Sequence, residues 1–182
     1  MKWAELDYWN SGEWQVVEEK LKDLNKKGVT WNPGRRNLFR ALRACPYDKV
    51  RCVIIGQDPY PNPAYATGIA FSIPFGYTRD KFPPTLKNIL QEYQDDLHYP
   101  APVSGSLISW CNNGVLLWNA IPSCEAFAPA SHHWVEWELL TKEIVQRLDE
   151  QDIVFVLLGQ HARSYAKYIK QSDVIETSHQ SS

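Results

Sequence analysis

A few side chains in this sequence have types and spacings that could do chemistry together. In Gly56-Gln57-Asp58-Pro59-Tyr60, an apolar run (Val53-Ile54-Ile55) ends in an amide, a carboxylate and a phenol. Phe71-Ser72 follows fifteen residues after Gly56, closing a loop punctuated by Pro59, Pro61, Pro63 and Gly68. Asn119 stands directly after Val115–Trp118, and His179 just after Val174–Thr177. Amides both donate and accept hydrogen bonds, carboxylates accept them, and an imidazole does either according to its tautomer. Each residue also has a plainer explanation. Asp-Pro after a strand is a common turn signal, Asn119 could cap a strand end, and Phe71 could be core. What lifts Asp58, Asn119 and His179 above that is their shared position at the ends of apolar runs.

Those runs are the elements that must do the positioning. Val50–Ile55, Val115–Trp118, Ile153–Leu158 and Val174–Thr177 are short and apolar or β-branched, as expected of strands buried on both faces. Helical patterns separate them: Arg36–Ala44, Leu86–Asp96, Trp134–Leu148 and Ala162–Lys170. Trp3, Leu6, Trp9, Trp14, Val17 and Leu21 supply an apolar face to one or two polar helices before residue 30, and Asn32-Pro33-Gly34 marks a turn. The expectation is an α/β fold: a three-layer α/β/α sandwich around a short, mainly parallel four-stranded sheet, in one domain spanning 1–182. In such a sheet all the strand ends lie on one edge. Gln57 and Asp58, Asn119, Gly159-Gln160 and His179 then converge where α/β sheets bind ligands.

Composition narrows the classes. The chain has 182 residues, 44% of them apolar and 13% aromatic, enough for one domain with a sizeable core and unlike a disordered segment. A net charge of −2 argues against indiscriminate polyanion binding but leaves room for a local basic patch. Cys45, Cys52, Cys111 and Cys124 form no CxxC pair and accompany no histidine cluster, so they read as buried thiols of a reducing compartment. No apolar run approaches membrane-spanning length and no signal peptide precedes the first charged helix, so a soluble, cytoplasmic protein is the expectation.

Five segments in order resemble the uracil-DNA glycosylases, in the branch whose motif reads Gly-Gln-Asp-Pro-Tyr. They are Gly56–Tyr60, Gly68–Ser72, Pro83-Pro84-Thr85-Leu86-Lys87-Asn88, Gly114–Ala120 and Ser178-His179, and Ala130-Ser131-His132 with Trp137-Glu138 resembles a sixth. The resemblance implies hydrolysis of the N-glycosidic bond of deoxyuridine in DNA, with the base taken out of the stack. It implies that Asn119 pairs with uracil N3–H and O4, that Phe71 stacks on the base, and that Tyr60 stands where thymine carries its methyl. Gln57 joins them as a uracil-binding residue. Asp58 is then the residue that orients water and stabilises the sugar cation, and His179 the donor to uracil O2. No metal or organic cofactor is implied. Ser72, Pro84, Thr85, Gly159, Gln160 and Ser181 correspond to positions that hold the DNA backbone. Thr85 stands in place of the more usual serine and Gln160 in place of the serine of a Gly-Ser loop. Arg35, Arg36, Arg40 and Arg43 read either as a solvated helix face or as a basic patch.

The resemblance also sets expectations about partners. Uracil-containing DNA is the substrate, with single strands favoured, because His179-Gln180-Ser181-Ser182 lacks the proline and the leucine-bearing loop that usually follow the family histidine. A proteinaceous inhibitor or a replication protein is a candidate partner, no membrane is involved, and the protein is expected to be a monomer. Two other classes share some of these features. A glycosylase-like module could serve chiefly to hold DNA or a replication partner, and Ile121-Pro122-Ser123-Cys124 faintly resembles a viral processivity subunit. That class would gain from an apolar patch formed by the early tryptophans. A hydrolase of small deoxyuridine nucleotides could use the same base pocket.

Overall fold

Four five-residue runs pair in parallel to build the sheet that carries the site. The computed structural model describes residues 2–177. The strands are β2 (Cys52–Gly56), β3 (Val115–Asn119), β5 (Val154–Leu158) and β6 (Asp173–Thr177), in the order β3-β2-β5-β6. Their boundaries fall within two residues of those expected from the sequence, and the flanking helices bear out the α/β reading. A two-stranded antiparallel ladder, β1 (Trp31–Asn32) with β4 (Cys124–Glu125), lies apart from the main sheet. It was not expected, because two residues leave no periodic signature.

Register sorts the apolar side chains into rows. Leu116, Val53 and Phe155 are cross-strand neighbours, as are Trp118, Ile55 and Leu157; all six are essentially inaccessible to solvent. Removing such side chains from water stabilises the fold by about 1.5–3 kcal/mol each. Helix α5 (Val135–Asp149) covers this face, burying Trp137, Leu140, Ile144, Val145 and Leu148 at helical spacing. The Trp118 indole N–H donates to the Thr141 hydroxyl at 2.9 Å, and Thr141 donates to the Ala120 carbonyl at 2.7 Å. These bonds tie α5 to β3 and to the chain just beyond Asn119. Helix α1 (Glu13–Lys26) packs outside α5 through Val17 and Leu21.

The opposite face carries the row Leu117, Ile54, Val156 and Ile175. Ile89 of α3 (Pro84–Leu97) and Trp110 of α4 (Ile108–Asn112) approach it, leaving an apolar recess. Helix α3 begins with proline in its first turn, where no N–H is missed, and ends at His98 in the left-handed region.

Two helices are shorter than the sequence suggests. The pattern over Arg36–Ala44 yields only α2 (Arg40–Ala44), because turns close on Gly34 and Asn37 first. The pattern over Ala162–Lys170 starts early and stops early, as α6 (Gly159–Arg163). Beyond it the Ser164 hydroxyl bonds the His161 carbonyl, and Tyr165 N–H reaches back three residues to Ala162. Among the described residues, no helix is long and apolar enough to cross a membrane.

Candidate active site

The carboxyl ends of β2 and β3 are directly paired, Gly56 opposite Asn119. A methyl group on Gly56 would meet Phe71 Cζ at 2.7 Å and Asn119 Oδ1 at 3.2 Å. Glycine at this position therefore lets the Phe71 ring lie against the strand end, beside the amide. Phe71 itself has φ of +65°, a left-handed conformation that a bulky residue holds only when its surroundings impose it. They do: the Tyr60 hydroxyl donates to the Phe71 carbonyl at 3.0 Å and the Thr67 hydroxyl to the Ser72 carbonyl at 3.1 Å. Ala70 N–H donates to the Leu117 carbonyl of β3 at 3.1 Å. Burial raises the Tyr60 hydroxyl far above the ordinary phenol range, so it stays protonated and keeps donating.

Gln57, Asp58, Tyr60, Phe71, Thr85 and Asn119 line one cleft of about 260 Å³, together with Thr67 and Pro59. That is below the roughly 300 Å³ at which drug-sized pockets begin, a size for a single small ring. Asn119 is only 9% exposed, yet its side chain forms part of the cleft wall. Desolvated donors and acceptors of this kind discriminate strongly between rings with matching and mismatching edges.

Asp58 enters the cleft from a loop that is held on two sides. Its Oδ2 accepts the Ala130 backbone N–H at 2.6 Å. Ala130 and Phe127 both have positive φ, and their turn is locked by Ser131, which accepts Glu125 N–H at 2.7 Å and donates to the Ala128 carbonyl at 2.8 Å. Beneath it the Ser123 hydroxyl lies 2.8 Å from His132 Nδ1 and accepts the Trp137 indole N–H at 3.0 Å. His132 stacks on Trp134 with ring centres 4.2 Å apart. Burial pushes its imidazole down to about 4, so it is neutral near pH 7. On the other side Asn32 donates to the carbonyls of Tyr60 at 3.0 Å and Pro61 at 2.8 Å. In the sequence Asn32 reads only as part of a turn, because its partners, 28 and 29 residues away, leave no local signal.

The four cysteines are free thiols, three buried and Cys52 partly so. Burial holds Cys45 and Cys124 up to about 12 and Cys52 up to about 11, which leaves them poor nucleophiles at neutral pH.

Residues 43–182 match the model of the uracil DNA glycosylase superfamily. The chain belongs to that superfamily. It is 41% identical over 172 residues to the uracil-DNA glycosylase of Bacillus pumilus, an alignment covering 92% of this chain and 74% of that one. To the enzyme of the same name from Phocaeicola vulgatus it is 42% identical over 158 residues, covering 86% and 70%. The crystal structure of mimivirus uracil-DNA glycosylase superposes with a TM-score of 0.84 at 28% identity, covering 96% of this chain and 67% of that one.

The residues expected to touch the DNA backbone of this superfamily member are not all gathered at the cleft. Thr85 is in its wall, and Pro84 is exposed beside it at the start of α3. Ser72 points inward: it is 1% exposed and its hydroxyl accepts Leu107 N–H at 2.9 Å. In this conformation it fastens the 104–107 segment to the Phe71 loop. Gly159 is buried at the start of α6 with φ of +85°, and Gln160 is exposed next to it. His179 and Ser181 lie outside the described residues. The arginine run is largely occupied within the protein: Arg35 pairs with Glu18, Arg43 donates to the Arg36 carbonyl, and Arg40 to the Thr67 carbonyl at 3.4 Å. Trp9 and Trp14, both half-buried against the core, pack edge-on against Phe39, and Trp14 lies tilted against Trp137.

Proposed function

We propose that this chain is a monofunctional uracil-DNA glycosylase of the Gly-Gln-Asp-Pro-Tyr branch, releasing uracil from DNA in base-excision repair. The observation that carries the reading is the convergence of Asn119, Phe71, Tyr60 and Asp58 on one cleft sized for a single ring. Relatives 41% and 42% identical bear the name uracil-DNA glycosylase.

The reaction separates uracil, as an anion, from a deoxyribose with oxocarbenium character. The base is drawn out of the strand into the cleft, against the Phe71 ring. The Asn119 amide donates to uracil O4 and accepts from N3–H. Cytosine presents the reverse pattern and would leave buried groups unpaired. Tyr60, fixed by its bond to the Phe71 carbonyl, closes the space that a 5-methyl group would need, with Gln57 completing the wall. Asp58, held by Ala130 N–H, orients the attacking water and balances the sugar cation. His179 donates to the developing charge on uracil O2; a donor aimed at charge that appears only in the transition state is worth about 2.7–4 kcal/mol. The matched motifs place no lysine to form a Schiff base, and none is among the described residues lining the cleft, so the expected product is an abasic site rather than a broken strand. On this reading Thr85, Pro84 and the Gly159-Gln160 turn meet the DNA backbone. A protein partner belongs to the same reading, since a mimivirus relative was solved in complex with UGI.

The test is uracil release from a single-stranded oligonucleotide, with Asp58→Asn as the companion. The wild-type protein is expected to release uracil, and the variant to do so about 10²–10⁴-fold more slowly with DNA affinity retained. An unchanged rate in the variant would remove Asp58 from the mechanism.

A further inference from the structure

Phe127 is the most exposed aromatic side chain among the described residues, with 75% of its surface open to solvent. A single exposed apolar residue ordinarily means little. This one differs in how firmly its backbone is held. Its φ is +62°, a conformation that costs a bulky residue on the order of 1–3 kcal/mol and persists only where the surroundings impose it. Its N–H donates to the Pro61 carbonyl at 2.7 Å, and Pro61 lines the cleft. On either side, Ala126 N–H donates to the Thr30 carbonyl at 2.9 Å and Ala128 N–H to the Glu125 carbonyl at 3.1 Å. Three residues on, Ala130 N–H holds the Asp58 carboxylate. The same short turn thus grips the proposed catalytic group and carries a bare phenyl ring on a residue whose backbone is bonded to the cleft wall.

Granting the glycosylase reading of the cleft, we infer that Phe127 is a stacking platform for a base adjacent to the extracted uracil in the substrate strand. When uracil leaves the stack its neighbours lose a face-to-face contact, and an aromatic ring held at the cleft mouth replaces it. Such stacking tolerates any base, because every base has a π-face. It requires a ring positioned in advance, so that little is lost in ordering it on binding, and the pinned backbone supplies that. The residue acts on substrate position, not on the bond that breaks.

The experiment uses single-stranded oligonucleotides with one uracil and 2-aminopurine placed on its 5′ side or its 3′ side. Phe127→Ala is expected to keep the wild-type melting temperature, since the ring is exposed. It is expected to raise KM about tenfold with little change in kcat, at the weaker end of base–aromatic stacking. It should also abolish the fluorescence change of 2-aminopurine on one side of the uracil, and Phe127→Trp should restore both. An unaltered KM and fluorescence response in Phe127→Ala would overturn the inference. Absence of uracil release by the wild-type protein would count against the glycosylase reading alone. The 2-aminopurine response to binding needs no turnover and would still decide the stacking.

Discussion

Glycine 56 does as much for the cleft as the residues that line it. Its missing side chain is what admits the Phe71 ring against the strand end beside Asn119. Its φ is not in the left-handed region, so alanine fits the backbone and the disturbance falls mainly on the Phe71 ring and more lightly on the Asn119 amide. Gly56→Ala is therefore expected to leave a folded protein whose Phe71 is displaced by a substantial fraction of an ångström. Misplacement on this scale can cost on the order of 10²-fold in rate, and steady-state uracil release measures it directly. Wild-type activity in Gly56→Ala would mean that the ring does not need this seat. The motif Gly56–Tyr60 stands out in the sequence as a candidate site, but the reason for its first residue does not. That reason lies in contacts with residues 71 and 119, which no local pattern connects.

At the scale of elements, the edge strand β6 is the least buried part of the sheet, with Val174 and Ile175 both exposed. Asp149, at the end of α5, anchors its approach by accepting N–H groups from Lys170 at 2.7 Å, Gln171 at 3.0 Å and Ser172 at 2.8 Å. Burial alone would raise this carboxyl, but the three backbone donors outweigh it and hold it below the usual aspartate range. A carboxylate depressed in the folded state adds stability above the unfolded pKa of about 3.9, and that stability is lost as pH falls through the lower folded value. Asp149→Ala should cost about 2–3 kcal/mol at pH 7, lowering the melting temperature by roughly 5–10 °C, with Asp149→Asn recovering part of the loss. The gap from wild type should narrow in thermal melts taken below about pH 4. A gap that widened on acidification would contradict this assignment. Since His179, the proposed donor to uracil O2, stands two residues after β6 in the sequence, loosening the strand should also slow uracil release.

Over the whole molecule, strand ends were the legible part of the site and loop closure was not. Short apolar runs separated by helical patterns were enough to place Asp58 and Asn119 on one edge, because parallel strands share an end. They did not reveal that Asn32, Ala130 and the Ser123–His132 pair lock the loops that aim those side chains. Such contacts join residues dozens of positions apart through backbone atoms that every amino acid carries. Ser72 is the converse case: a hydroxyl within a recognisable motif that the fold turns into the core. The two shortened helices, α2 and α6, likewise end on turn hydrogen bonds that periodicity does not register. On the proposed reading these loops converge on one base and read it by its hydrogen-bonding edge, and Asn119→Asp changes the partner that edge meets. A carboxyl there can meet the cytosine edge when protonated, and accepts without donating when ionised. The assay offers wild-type and variant proteins single strands carrying either uracil or cytosine. Uracil release by the wild type, with cytosine release appearing in the variant as uracil release falls, is the predicted result. Undiminished uracil release and no cytosine release in Asn119→Asp would show that the base is read elsewhere.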